Sequence, residues 1–193
     1  MYDYITGTLT HKTATYLIIE AGGIGYQLHV SLQTYTQLKD AHQAKIYTHL
    51  AIKEDAHTLY GFAHEDERTL FRHLISVSGV GPGTARVMLS SITSAELQQA
   101  IINGQVAAIK RIKGIGDKTA QRIILDLKDK LAKTDTPTTI ISTPHNTHKE
   151  QALSALLTLG FNRAAADKEL TKISSANPAF SVEDLIKEAL KNL

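Results

Sequence analysis

No cysteine occurs among the 193 residues, which excludes disulfides and thiolate metal sites and suits a reducing compartment. The opening stretch MYDYITGTLTHK has no basic start followed by an apolar core, so no secretory leader is expected. No apolar run approaches the roughly 18 residues of a membrane-spanning helix. Together these absences read as a cytoplasmic protein with no membrane partner. An excess of one charge is lacking too. Lys and Arg total 21 against 19 Asp and Glu, a formal +2, too small to mark a nucleic-acid binder. The charged fraction, 21%, is that of an ordinary folded protein, which excludes wholesale disorder.

Charge distribution says more than the total. Residues 1–63 carry four Lys/Arg against five Asp/Glu, residues 64–131 ten against seven, and residues 132–193 seven of each. Five basic residues (Lys110, Arg111, Lys113, Lys118, Arg122) fall within 110–122 beside one acid, Asp117. Such clustering is the usual footprint of phosphate contact, although a solvated helix face produces similar clusters.

The first sixty residues read as strands. Tyr4–Leu9, Thr15–Glu20, Gly25–Val30, Lys45–Ile52 and Thr58–Phe62 are short, rich in Ile, Val, Thr and Tyr, and separated by turn residues. Ala21–Gly25 is a flexible link, and Ser31–Leu38 suits a brief helix. Five short antiparallel strands suggest a small barrel. The OB-fold is the commonest such barrel with nucleic-acid associations, though strand count leaves an SH3-like barrel open.

From Asp66 the period changes. Leu70, Phe71, Leu74, Ile75 and Val77 recur at helical spacing, and the pattern continues to Leu131. Residues 132–148, with two Pro and many Thr, read as an exposed linker. Thr147-His148-Lys149-Glu150 has the form of a capping box opening a helix over Lys149–Leu159. Gly160 would end that helix, Asn162 would cap a second, and Ser181-x-x-Asp184 would cap a third ending near Leu190. The expected domains are thus 1–63, 64–131 and 149–193, with 132–148 between the last two. The third has too little core to be robust alone, which suits a docking role.

The strongest pattern is an internal repeat. Residues 74–89, LISVSGVGPGTARVML, align with 109–124, IKRIKGIGDKTAQRII, at an offset of 35. Each copy reads helix, Gly-h-Gly turn, helix. Two glycines bracket one apolar residue, as expected where the backbone takes positive φ and must present no Cβ outward. The middle residue, Val80 or Ile115, would tuck between the helices. The turn would then expose N–H groups where the second helix's dipole also favours an anion. A phosphate is the expected guest, gripped by Gly79, Val80, Gly81, Gly83 and Arg86 in one copy and Gly114, Ile115, Gly116, Lys118 and Arg122 in the other. Contacts of this kind predict binding without sequence specificity and with strong salt dependence.

Other chemistries fit less well. A Rossmann glycine loop follows a strand, whereas Gly79 follows an amphipathic helix. A Walker A loop requires Gly-Lys-Thr, whereas Gly116-Asp117-Lys118-Thr119 interposes an acid, so no nucleotide hydrolysis is indicated. The alternative is a helix-hairpin-helix DNA repair enzyme. Asp135 has the spacing from Gly116 that a glycosylase acid would need, but it falls in the linker. Base flipping wants aromatic wedges, and the helical middle has Phe71 alone. A nuclease needs clustered carboxylates holding metal, and Glu65-Asp66-Glu67 at a helix start more simply complements the dipole. The nine His are scattered, with His145 and His148 in the linker. No catalytic residue, metal or cofactor is expected. A protein scaffold that binds no DNA is a third reading.

The barrel, paired hairpins, linker and helical tail together resemble the RuvA family of Holliday-junction-binding proteins over essentially the whole chain. The most specific segments are KEDAHTLYGF (53–62), ERTLFRHLISVSGVGP (67–82) and IKGIGDKTAQRIILDLKDKL (112–131). The resemblance implies an α+β multidomain fold: a five-stranded OB-fold barrel, a central tandem helix-hairpin-helix domain and a C-terminal three-helix UBA-like domain. It implies a non-enzymatic subunit that binds four-way junctions as a homotetramer or as two stacked tetramers. A RuvB-type hexameric ATPase would be the partner motor, and a RuvC-type resolvase a further partner. Glu54 and Asp55 would form an acidic pin facing the crossover, although composition alone would read them as solvated turn carboxylates. The motor contact would fall on Leu156, Leu159, Phe161 and Leu190, although core is the commoner role for apolar residues in so small a unit. Gly83 and Asp117 stand where the family commonly has Lys, so binding should be weaker or more salt-sensitive unless Arg86 or Lys113 compensates.

Overall fold

Alternation of inward and outward side chains builds the first elements. Strands β1 (Tyr4–Lys12), β2 (Tyr16–Ala21), β3 (Ile24–Val30), β4 (Gln43–Ile52) and β5 (His57–Phe62) close in the order β1-β2-β3-β5-β4. Inward-facing Ile5, Leu9, Leu17, Ile19, Leu28, Val30 and Ile46 fill the barrel. One pairing departs from the antiparallel expectation: β3 and β5 run parallel through His29–Tyr60 and Val30–Gly61. Helix α1 (Leu32–Leu38) and β4 intervene between them, so the chain re-enters in the same sense. Strand order and helix placement are those of an OB-fold. This computed structural model describes residues 2–134, 144–177 and 180–193, in two units, Met1–Asp135 and Thr136–Leu193.

In the first unit, α2 (Glu65–Ile75), α3 (Pro82–Ser91), α4 (Ser94–Ile102), α5 (Val106–Lys110) and α6 (Asp117–Thr134) follow the barrel. Their shared core includes Phe71, Leu74, Met88, Leu97, Ile101 and Leu127, and it takes in Phe62 from β5. The Phe71 ring lies 4.9 Å from Phe62 and 5.1 Å from Tyr60, centroid to centroid. Barrel and helices therefore share apolar contact at this seam, where aromatic pairs add about 0.5–1.5 kcal/mol beyond burial.

Polar groups fix the same seam. Ser31 caps α1 by accepting from the Thr34 N–H. Its hydroxyl donates to buried Glu67 on α2, and Thr34 donates to the other carboxylate oxygen at 2.7 Å. Arg68, 3% exposed, reaches back to the Asp3 carbonyl at 2.7 Å and to its carboxylate, pairs with Glu65 at 2.6 Å and lies over the Tyr47 ring. On α3, Arg86 donates to the Thr15 carbonyl at 3.0 Å and lies 3.4 Å from the His29 ring nitrogen.

The second unit contains α7 (Pro144–Thr158), α8 (Arg163–Ala176) and α9 (Val182–Asn192) around Ala152, Leu156, Ala166, Leu170, Ile173, Leu185 and Ala189. Gly160 ends α7 at φ 95°, with the Phe161 N–H on the Leu156 carbonyl and the Gly160 N–H on that of Leu157, a Schellman closure. Asn162 and Ser181 cap α8 and α9. Helix α6 continues past Leu131 to Thr134. Helix α7 opens at Pro144, so Thr147 lies inside it rather than capping it. A proline at the first helical residue loses no intrahelical bond. Asp135 and Thr139–Ser142 lie outside the described residues.

Burial holds the imidazoles of His29, His49 and His73 below their ordinary range, reinforced by Arg86, by Arg72 and Arg68, and by Lys130 respectively. A lowered histidine favours the neutral form in the fold, so its stability is full above the unfolded value of about 6.5 and is lost as pH falls below it. Burial moves Glu67 the other way, against the hydrogen bonds from Ser31 and Thr34, and that contribution grows as pH falls. All seven tyrosines lie within residues 2–60, so tyrosine near-UV circular dichroism reports the first unit alone. The urea midpoint should drop less between pH 7.5 and 5.5 in His29→Asn than in the unmutated chain. An identical pH dependence would contradict the assignment.

Candidate nucleic-acid interface

The two hairpins repeat one another bond for bond. In the first, the Val77 N–H reaches the Leu74 carbonyl (3.1 Å), Val80 reaches Val77 (3.0 Å) and Ala85 reaches Gly81 (2.9 Å). In the second, Ile112 reaches Ile109 (3.2 Å), Ile115 reaches Ile112 (3.1 Å) and Ala120 reaches Gly116 (2.9 Å). Gly79 and Gly114 adopt φ of 92° and 91°. Val80 and Ile115 are buried in the helical core, and Ala85 and Ala120 are fully buried where paired helices cross.

The glycines divide into two kinds. Positive φ is confined to the first of each pair; Gly81 sits at φ −84°, ψ 168°, which any residue adopts. Among the described residues, a Cβ on Gly81, Gly83 or Gly116 would meet nothing within 4 Å. The sequence expectation that both glycines serve positive φ is thus corrected. The chain's own packing leaves the second glycine unexplained.

Donor count separates the copies. The first helical bond, Ala85 to Gly81, leaves the N–H groups of Gly83 and Thr84 unengaged among the described residues, while Pro82 has none to offer. The second copy presents those of Asp117, Lys118 and Thr119. Lys118 and Arg122 are exposed on α6, and the Arg122 guanidinium lies 3.5 Å from the Ser78 carbonyl, which brings the second helix beside the first turn. Asp117 pairs with Lys110 at 2.7 Å, an exposed contact of modest strength. Arg86, one turn into α3, donates from one guanidinium nitrogen to the barrel's Thr15 carbonyl. Exposed Lys113 remains as the compensating charge.

Glu54 and Asp55 occupy the β4–β5 turn, closed by the Lys53 N–H on the Ala56 carbonyl at 2.9 Å. Both are exposed, and no group among the described residues pairs with either carboxylate. In the C-terminal unit, Leu156 is fully buried against α8 and α9, which removes it from any contact surface. Phe161 packs partly against that core, while Leu159 and Leu190 are exposed. The acidic run at the start of α2 does not converge on a metal: Glu67 turns inward and Glu65 pairs with Arg68. Sequence reasoning did not find Ser31, Thr34, Asp3 or Arg68, because their partners lie 33 to 65 residues away.

These features define a tandem helix-hairpin-helix protein built on an OB-type barrel with a separate three-helix module. Family models described as RuvA N terminal domain, SAM-like helix-hairpin-helix tandem and RuvA C-terminal domain match residues 1–61, 71–129 and 147–193. Curated proteins named Holliday junction branch migration complex subunit RuvA align along the full length. That of Christiangramia forsetii is 51% identical over all of both chains, and that of Cytophaga hutchinsonii 50% over 99% of each. That of Bacteroides fragilis is 40% identical over all of both. The chain belongs to the RuvA family.

The two kinds of glycine are separable by experiment. Gly79→Ala should cost about 1–2 kcal/mol of stability, the penalty of a Cβ at positive φ. Gly81→Ala should leave the urea midpoint unchanged. Equal losses at both positions would contradict the division.

Proposed function

We propose that this chain binds four-way DNA junctions through phosphate contacts, without reading sequence, and holds the crossover open for a separate ATP-driven motor. The observation that carries the reading is the bond-for-bond repetition of the two hairpins, each with a bare glycine, unengaged N–H groups and an outward helix start. A pair of such grips holds two backbone positions on one duplex. Gly79, Val80, Gly81, Gly83, Gly114, Ile115 and Gly116 form the cradles, and Lys118 and Arg122 supply charge. Arg86 acts by fixing α3 to the barrel.

Glu54 and Asp55 form the acidic pin. Assembled around a four-fold axis, four such turns concentrate like charge at the crossover, which a continuous duplex would meet and four splayed arms would not. The working form is a homotetramer, single or stacked as an octamer. Residues 1–63 and 64–131 provide pin and grip. Residues 149–193, joined through 132–148, recruit a RuvB-type motor through exposed Leu159 and Leu190 with Phe161 beside them. The same platform presents the junction to a RuvC-type resolvase. The relatives' names, which place those proteins in a branch migration complex, support the reading. Such a role belongs to the cytoplasm, where bacterial DNA lies.

Two variants in one titration series test it. Lys118→Ala with Arg122→Ala should weaken junction and duplex binding alike and reduce the slope of log K against log salt by about 2. Glu54→Gln with Asp55→Asn should instead leave the slope nearly unchanged and lower the junction-to-duplex affinity ratio. A lost slope without lost affinity, or an unmoved ratio, would contradict the assigned roles.

A further inference from the structure

The β4–β5 hairpin carries its barrel-facing side beyond the barrel. Along that side of β4, Ile46 and Thr48 are buried, Leu50 is half-buried and Ile52 is 68% exposed. Along β5, Gly61 is buried, Leu59 half-buried and His57 exposed. Ile52 and His57 are direct partners in the register. Because Lys53 closes the turn on Ala56, they form the next, non-hydrogen-bonded pair, with Cβ atoms about 4.5–5.5 Å apart. The result is a small shelf, one aliphatic chain beside one imidazole ring, immediately beneath Glu54 and Asp55. No ring contact, hydrogen bond or ion pair of the described residues engages His57.

From this placement we infer that Ile52 and His57 form a stacking shelf for nucleobases opened at the junction crossover, an inference that rests on the pin reading above. Lys53, Glu54 and Asp55 leave the turn a net negative charge, which turns phosphates away. The part of DNA that settles against the shelf is therefore its uncharged part, the base. Moving a crossover requires pairs to open and re-form, so unpaired bases arise at this point. Apolar and aromatic side chains recognise base faces without regard to sequence, which matches a protein that must accept every step of a moving junction. The carboxylates thus exclude the backbone, and the shelf receives the bases that this exclusion frees.

The test uses the full chain and a synthetic four-way junction with 2-aminopurine at the crossover. The unmutated chain should raise 2-aminopurine emission at saturation. Ile52→Ser with His57→Ser should cut that rise by at least half and weaken junction binding about five- to ten-fold, the lower part of the loss typical of a stacked base. Duplex affinity should stay within about two-fold, which also verifies folding. An unchanged rise, with junction preference intact, would overturn the shelf alone. Absence of junction preference in the unmutated chain would overturn the pin reading and the shelf with it. Dissociation of the DNA-free assembly in the double variant would overturn the shelf in favour of a contact with a second copy of the chain.

Discussion

What the hairpins present outward depends on what they bury inward. Val80 and Ile115 sit in the helical core at the centre of each turn, and their burial fixes the angle at which the flanking helices leave it. An N–H group is a useful phosphate donor only if it is already aimed, because ordering a loose loop around an anion costs conformational entropy at the moment of binding. The buried apolar residue does that ordering during folding. The flanking glycines have separate tasks, one accommodating the reversed backbone and one leaving the surface bare.

Placement of the grips relative to the barrel is a second layer of the same argument. Phe62 and Phe71 share a core, Glu67 binds Ser31 and Thr34, Arg68 binds Asp3, and Arg86 binds Thr15. These contacts tie α2 and α3, and with them the first hairpin, to the sheet that carries the β4–β5 turn. In the proposed function this sets where acid stands relative to phosphate grip. Glu67 and Arg68 are buried ionisable groups, costly to remove from water; Ser31 and Thr34 partner the one and Asp3 and Glu65 the other, while Arg68 Nε has no partner among the described residues.

Local repetition made the hairpins legible in the sequence, since every bond that shapes them joins residues within a few positions. The helix caps at Asn162 and Ser181 and the stop at Gly160 were legible for the same reason. The seam was not, because Ser31, Asp3 and Thr15 act on partners far along the chain and carry no local signature. The parallel β3–β5 closure is likewise a property of the whole barrel. Arg86 shows how far pattern alone reaches: its position after the first turn suggests phosphate, while its bond to the barrel's Thr15 carbonyl carries no local signature. Leu156 shows the converse, an apolar residue whose periodicity fits contact or core until burial decides. The unequal hairpins also read differently once built, since Pro82 leaves the first with fewer donors as well as less charge.

The central claim is that pin and grips together select a four-way junction over ordinary duplex. Its most direct measurement is a competition at moderate salt between a labelled four-way junction and unlabelled linear duplex of equal total length, using the unmutated chain. The account predicts a preference for the junction of at least about ten-fold, roughly 1.4 kcal/mol. Equal affinity for the two would contradict it.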